Sequence, residues 1–192
     1  YDVAGFVVGV VERSRVIDGR GIAPGDVLIG LPSSGLHTNG YSLARRIVFD
    51  ELGLGVADHV EAIGATVGDA LLAVHRSYLP VVRPLLATSA IKGMAHITGG
   101  GMTDNLPRVL PAGCEARIRV GSWPVPPLFT WLQQSGGVPV DDMLRTFNMG
   151  IGLILVVAAA DSEAVLERLR AAGESPAVIG DIVPGVPGVR YV

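Results

Sequence analysis

The sequence is poor in cysteine, in charged residues and in long apolar runs, and these shortages exclude several classes of protein. One cysteine, Cys114, cannot form an intrachain disulfide, as is typical of a reducing compartment. The longest apolar run, residues 151–160, contains a glycine and is too short to span a membrane. A net charge of −3 offers no basic surface for nucleic acid. We therefore expect a cytoplasmic protein that binds neither membranes nor nucleic acid.

Apolar residues, in contrast, are abundant. They make up 49% of the 192 residues, enough for the core of one large domain. Strand-like runs alternate with helical patterns, which predicts an α/β fold built as a layered sandwich. The predicted strands cover residues 26–31, 92–97, 115–120, 151–159, 177–183 and 189–192, and the predicted helices cover 43–52, 69–75, 78–86, 103–110, 127–134, 140–147 and 161–172. The run at 151–159 is apolar on both faces, which indicates the centre of the sheet.

The first residues do not fit this domain by themselves. Residues 3–11 are apolar and β-rich, and without a partner strand they would expose an unpaired edge. We assign residues 1–18 to the terminal strand region of an absent N-terminal domain, to a linker or to a strand swapped onto a neighbour. Residues 19–192 form the C-terminal α/β domain. The low charged fraction, 17%, also suggests a surface partly covered by another domain or subunit.

A turn over residues 33–40 is crowded with glycines and hydrogen-bonding side chains. It follows a predicted strand and precedes a predicted helix. Such a junction leaves free backbone N–H groups that suit an anion. The alternative is an ordinary turn in which Asn39 or Ser42 caps the helix.

A second turn, residues 96–105, has the same context and contains three consecutive glycines. They let the backbone approach a ligand closely, at an entropic cost; the alternative is that they only let strand and helix pack tightly. Neither turn matches the dinucleotide fingerprint or the Walker P-loop. A third glycine-bearing segment, residues 147–152, precedes the most apolar strand. We expect the first two turns to line one cleft, because ligands gather at strand ends of this kind.

The four histidines differ in their surroundings. His37 and His96 adjoin the glycine turns, where a polar side chain favours ligand contact. His59 lies in a polar loop facing solvent, and His75 is predicted to pack on a helix. Without clustered carboxylates or thiolates, the histidines make a poor zinc site, so we expect no structural metal. No Gly-x-Ser-x-Gly elbow is present, and Cys114 has no adjacent base.

Three segments resemble one known family: Ser33 to Leu43, His96 to Asn105, and Phe147 to Gly152. They are similar, in the same order, to the C-terminal half of phosphoribosylformylglycinamidine cyclo-ligase, also called aminoimidazole ribonucleotide synthetase. The resemblance implies helices layered on a mixed sheet of partly ferredoxin-like order. It also implies an ATP-dependent ring closure of formylglycinamidine ribonucleotide, with ATP and Mg²⁺ held mainly by the absent N-terminal half, and a homodimer when complete. The isolated chain should therefore be catalytically incomplete.

The turns and the resemblance together give the candidate residues that bind substrate or nucleotide: Ser34, Gly35, His37, Asn39, Gly40, Tyr41, His96, Thr98, Gly99, Gly100, Gly101, Asn105, Asn148 and Gly150. No catalytic residue is assigned. Two other interpretations stay open. The chain could belong to another member of the same ATP-binding superfamily, a synthetase or small-molecule kinase, or it could be a non-catalytic module for phosphate binding or oligomerisation.

Overall fold

The computed structural model describes residues 4–192, which form helices packed on a mixed six-stranded sheet. The strands are β1 (Val27–Pro32), β2 (His59–Val60), β3 (Ala65–Thr66), β4 (Ile91–His96), β5 (Cys114–Ile118), β6 (Ile151–Val157), β7 (Ala177–Pro184) and β8 (Val189–Tyr191). The large sheet has the order β4-β6-β1-β7-β5-β8, and β2 and β3 form a separate hairpin. Its neighbouring strands are antiparallel except for β5 and β8, which run parallel.

The helices are short for a domain of this size. They are α1 (Tyr41–Arg45), α2 (Val67–Leu71), α3 (Leu79–Val82), α4 (Gly101–Asn105), α5 (Pro127–Ser135), α6 (Val140–Thr146) and α7 (Ser162–Ala171). Helix α1 continues into a wider π turn at Arg46–Glu51, and α4 continues into a 3₁₀ turn at Leu106–Val109. No helix in the described part of the chain is long and apolar enough to cross a bilayer.

Strand β6 lies in the interior of the sheet, between β4 and β1, as its continuous apolar sequence predicts. All seven of its residues are buried. Alternate side chains enter two different cores: Ile154 and Val156 join a core with Met102 on one face, while Leu153 and Leu155 join a core with α7 on the other. This arrangement confirms the layered α/β/α sandwich. A third core packs α1, α5 and α6 against one another beyond the sheet.

Helix boundaries are where the sequence predictions were least accurate. The predicted helix at 69–75 ends at Leu71, and residues 73–78 run irregularly because Arg76 and Tyr78 both donate to the carbonyl of Pro32. The predicted helix at 78–86 is only α3 plus a 3₁₀ turn at Leu85–Ala87. Its two prolines, at 80 and 84, prevent a continuous hydrogen-bond ladder.

Three further expectations about termini need correction. Helix α4 begins at Gly101, before the expected start at 103, and α1 begins after Gly40, so neither Asn39 nor Ser42 is its cap. Helix α7 begins at Ser162, one residue after the predicted start at 161, because Asp161 occupies the N-cap position; the sequence favours Asp161 as a capping residue, but its side chain makes no capping hydrogen bond. Residues 4–12 form no strand with the described residues. The start of the predicted 3–11 strand lies outside the described residues, and the assignment of 1–18 to another domain stays a prediction.

We predict that Leu155→Ala lowers the free energy of unfolding by about 2–5 kcal/mol, because it leaves a cavity at the centre of the sheet. Leu155 is fully buried, whereas Leu72 is 80% exposed. Leu72→Ala is therefore the matched control and should change stability by less than about 0.5 kcal/mol. Urea denaturation of both variants measures the difference, and equal costs would contradict the central position of β6.

Candidate functional site

The three glycine-bearing segments meet at one edge of the sheet, and strand pairing explains why. Strands β1 and β4 both lie antiparallel to β6, on its two sides, so they are parallel to each other and end at the same edge. Pro32 at the end of β1 pairs with Ile151, and His96 at the end of β4 pairs with Leu153. The third segment leads into β6 at that same edge. The first two turns therefore lie side by side, as the sequence predicts.

The two turns are in direct contact. A β-carbon built on Gly99 would lie 3.3 Å from Oδ1 of Asn39. The second turn also contacts the segment before α3, because Nε2 of His96 is 3.2 Å from Nε2 of His75. The His75 ring stacks on the His37 ring with centroids 3.9 Å apart. The edge of the sheet thus presents one continuous polar surface built from both turns and from residues 73–78.

The backbone of the first turn is strained at His37. Its φ of +58° lies in the left-handed region, which costs a non-glycine residue about 1–2 kcal/mol. Hydrogen bonds hold it there: the backbone N–H of Ser34 donates to His37 Nε2 at 3.0 Å, and the Tyr41 hydroxyl lies 3.0 Å from the His37 carbonyl oxygen. Strain of this kind is typical of functional turns.

Asn148 joins the first turn to the third. Its amide nitrogen donates to the Gly35 carbonyl at 2.9 Å, and its Oδ1 accepts from the Ser33 hydroxyl and from the backbone N–H of Gly150. The side chain is buried, with only 3% of the residue exposed. Asn148 therefore shapes the turns, and its polar atoms are already engaged within the protein.

Asn105 has the same role in the second turn. Its amide nitrogen donates to the carbonyls of Thr98, Gly99 and Gly101, and its Oδ1 accepts from the Thr98 hydroxyl. Four contacts to one loop fix the path of the three glycines. Like Asn148, Asn105 is buried, and it holds the turn in position from the protein interior.

The consecutive glycines serve different purposes. A β-carbon on Gly101 would lie 2.0 Å from the Leu144 carbonyl oxygen, so this glycine is needed for packing against α6. Gly100 has a φ of +95°, and its β-carbon would lie 2.6 Å from the Asp104 side chain. Gly99, by contrast, is exposed and has ordinary φ. Only Gly99 is free to approach a ligand without serving the fold.

The fourteen predicted site residues all lie around this edge, but they differ in accessibility. Eight of them are exposed or half-buried: Ser34, Asn39, Gly40, Tyr41, His96, Thr98, Gly99 and Gly100. The other six are buried: Gly35, His37, Gly101, Asn105, Asn148 and Gly150. The buried members hold the turns in shape. Binding of a ligand by the accessible members stays a prediction.

Four further residues lie at the candidate site, and the sequence analysis did not place them there: His75, Arg76, Tyr78 and Glu174. Arg76 forms an ion pair with the buried carboxylate of Glu174, and it donates to the Pro32 carbonyl at 3.2 Å. The Tyr78 hydroxyl donates to the same carbonyl at 2.8 Å. These bonds hold residues 73–78 against the end of β1 and bring His75 over His37. No local pattern reveals contacts between residues so far apart in the chain.

Two of the histidines at this edge, His37 and His96, have pKa values below the ordinary value of an imidazole. Burial of the ring lowers the pKa of His37 to about 4, and the neighbouring His75 contributes in the same direction. Partial burial and His75 also lower the pKa of His96. Burial raises the pKa of the Tyr78 and Tyr41 hydroxyls. Near neutral pH the His37 ring is therefore an uncharged hydrogen-bonding group and not a ready general acid.

We predict that Asn148→Ala destabilises the protein by about 1–3 kcal/mol, because the Gly35 carbonyl and the Gly150 N–H lose their partner. Asn39→Ala is the control: this side chain is half-buried and makes no hydrogen bond within residues 4–192. It should leave the melting temperature nearly unchanged. A stable Asn148→Ala variant would show that Asn148 does not hold the turns.

Comparison with known proteins agrees with the motifs. Residues 23–192 match the family described as AIR synthase related protein, C-terminal domain. Phosphoribosylformylglycinamidine cyclo-ligase of Trichlorobacter lovleyi is 52% identical over 182 residues, covering 95% of this chain and 52% of that protein. The Brevibacillus brevis protein of the same name is 48% identical and covers 100% of this chain and 55% of its own. The chain thus spans about half the length of these curated relatives.

Solved structures share the fold at lower identity. Thiamine-monophosphate kinase from Stenotrophomonas maltophilia has a TM-score of 0.63 at 16% identity, covering 94% of this chain and 54% of its own. Thermotoga maritima PurL complexed with AMPPCP has a TM-score of 0.56 at 12% identity, covering 96% and 26%. At these identities the likeness concerns the fold alone. The family match and the close relatives agree with the three motifs: this chain belongs to the family of AIR synthase related proteins, whose C-terminal domain it contains.

Proposed function

We propose that this chain is the C-terminal half of an ATP-dependent phosphoribosylformylglycinamidine cyclo-ligase. In this proposal the complete enzyme converts formylglycinamidine ribonucleotide to aminoimidazole ribonucleotide and releases ADP and phosphate. The observation that carries the proposal is the identity of 47–52% to curated cyclo-ligases across almost the whole chain. The turns at the edge of the sheet are then the chain's contribution to the active site.

The geometry supports binding and positioning by this half. The accessible part of the edge offers the Ser34 hydroxyl, the Asn39 amide and the open backbone at Gly99. Hydrogen-bonding groups of this kind suit a ribose, a phosphate or a formamide oxygen. Phosphoryl transfer is catalysed mainly by positioning and charge stabilisation, so a surface made mainly of neutral hydrogen-bonding groups is compatible with the reaction.

A magnesium ion does not fit the residues described here. Mg²⁺ prefers oxygen ligands, especially carboxylates. Within residues 4–192, the group of potential ligands found close together consists of three histidines, His37, His75 and His96. We therefore propose that the other half of the enzyme supplies the Mg²⁺ ligands and most of the ATP contacts. The PurL structure of the same fold is a complex with AMPPCP, which supports a nucleotide as the ligand of the complete enzyme.

The exposed apolar start of the chain supports docking onto that other half. Phe6, Val7 and Val10 are each more than 90% exposed, which is costly in water for a whole segment. A groove of about 730 Å³ runs between residues 10–17 and Leu85–Met94. We propose that residues 1–18 belong to the N-terminal domain's sheet, and that the complete enzyme is a cytoplasmic homodimer.

A small-molecule kinase is the second candidate, and the fold shared with thiamine-monophosphate kinase is the observation in its favour. The identity there is 16%, against 52% for the first cyclo-ligase. The cyclo-ligase proposal is therefore the stronger. An assay of the gene product separates them: ATP-dependent formation of aminoimidazole ribonucleotide supports the cyclo-ligase, and its absence in the complete, folded protein contradicts it.

We predict that Gly99→Ala weakens binding of the ribonucleotide or ATP by about tenfold or more, since a methyl group at a close contact costs about 1–3 kcal/mol. The variant should fold, because its β-carbon meets only the flexible Asn39 side chain. Gly100 is unsuitable for this test, since substitution there strains the backbone and clashes with Asp104.

Gly21→Ala is the matched control for this prediction. Gly21 is exposed, has ordinary φ and has nothing within 4 Å of an added β-carbon. Steady-state kinetics should show a raised KM for Gly99→Ala, with the KM of Gly21→Ala and both melting temperatures unchanged. A normal KM for both substrates in Gly99→Ala would remove Gly99 from the binding surface.

A further inference from the structure

The segment that carries His75 is anchored to the domain through a buried carboxylate. Glu174 lies just after helix α7, and its side chain is only 5% exposed. Its backbone N–H donates to the carbonyl of Leu169, a buried residue of α7, at 3.0 Å. The carboxylate pairs with Nη2 of Arg76, which is 98 residues away in the sequence. The ion pair therefore ties residues 73–78 to the end of a well-packed helix.

Arg76 extends this anchor to the last residue of β1. Its Nη1 donates to the Pro32 carbonyl at 3.2 Å, and the Tyr78 hydroxyl donates to the same carbonyl at 2.8 Å. Strand β6 leaves room for the hydroxyl at Gly152, where an added β-carbon would overlap it. The planar fork of an arginine reaches a carboxylate and a carbonyl with separate nitrogens, whereas a lysine has one ammonium nitrogen. The position of the Pro32 carbonyl therefore depends on Glu174 through Arg76.

The clamped carbonyl lies directly before the first turn. The Ser34 hydroxyl donates to the Val74 carbonyl at 2.7 Å, so residues 73–78 hold the turn at a second point. The backbone N–H of Ser34 in turn donates to Nε2 of His37 at 3.0 Å. Ser34 and His37 are both predicted site residues. The effect of the Glu174 carboxylate thus reaches the candidate site through a continuous chain of hydrogen bonds.

We propose that Glu174, acting through Arg76, is a positioning residue that sets the affinity of the first turn for its ligand. The identity of that ligand, formylglycinamidine ribonucleotide or ATP, rests on the proposed function. The Glu174 carboxylate is enclosed and already paired, so it holds the turn and does not contact the substrate. Loss of the pair frees the Pro32 carbonyl and the Ser34 hydroxyl to move. A misplacement of about 1 Å can cost an enzyme about 100-fold in activity.

The opposite end of β1 provides a matched control. The Asp26 carboxylate, directly before β1, accepts hydrogen bonds from Nζ of Lys92 at 2.7 and 2.9 Å, and its side chain is 6% exposed. Both ion pairs thus bury a carboxylate at an end of the same strand, but only the Glu174 pair lies at the edge with the glycine turns. Glu174→Gln and Asp26→Asn each remove one charge at nearly constant shape. We expect both to lower the melting temperature.

Steady-state kinetics of the complete protein tests the proposal. Glu174→Gln should raise the KM for the ribonucleotide or for ATP about tenfold, with a smaller change in kcat, whereas Asp26→Asn should keep both wild-type KM values. Arg76→Lys retains the charge but loses the fork, so it should behave like Glu174→Gln. Wild-type KM values in folded Glu174→Gln and Arg76→Lys, or an equal rise in Asp26→Asn, would overturn the proposal.

Hydrogen–deuterium exchange without ligand separates this proposal from the proposed function. The amides of residues 33–41 should exchange faster in Glu174→Gln than in Asp26→Asn, because only the first variant loosens the turn. If the complete wild-type protein forms no aminoimidazole ribonucleotide, the proposed function fails, and the exchange comparison still decides whether Glu174 holds the turn. Equal exchange of residues 33–41 in the two variants would overturn the positioning role.

Discussion

The antiparallel pairing of β6 with both β1 and β4 is the constraint on which the rest of the site depends. A central strand flanked by two antiparallel neighbours makes those neighbours end together, so residues 33–41 and 96–101 must meet. The pairing is stable because β6 is apolar on both faces and fills two cores at once. The hydrophobic interior thus determines which polar turns share a surface.

Buried polar side chains then fix the conformation of the turns that meet at this edge. Asn105 binds several backbone groups of the second turn, and Asn148 links the first turn to the third segment. Arg76 and Tyr78 hold the segment that carries His75 against the end of β1. The accessible groups are consequently held in place by side chains whose polar atoms are bonded within the protein. A site supported in this way is preorganised, which lowers the entropic cost of binding.

Local sequence patterns predict much of the fold and the position of the candidate site, and the incorrect predictions have one common cause. The apolar run at 151–159 and the alternation at 115–120 predict two strands, which the structure has at Ile151–Val157 and Cys114–Ile118. The glycine turns predict the edge of the sheet where the candidate site lies. The sequence did not distinguish Asn105 and Asn148, which support the turns, from Asn39, which is accessible. It also misplaced His75, because contacts of Arg76 with Pro32 and Glu174 override the helical pattern. Tertiary contacts of this range leave no local signature.

The central claim is that the paired turns, rather than another face of the domain, bind the ligand. Hydrogen–deuterium exchange of the complete protein with and without formylglycinamidine ribonucleotide tests it most directly, because it reports every backbone segment at once. The account predicts slower exchange at residues 37–41 and 96–101 when ligand is present. Protection confined elsewhere, for example to the groove of about 350 Å³ beside Arg46 and Gly137, with the two turns unaffected, would contradict it.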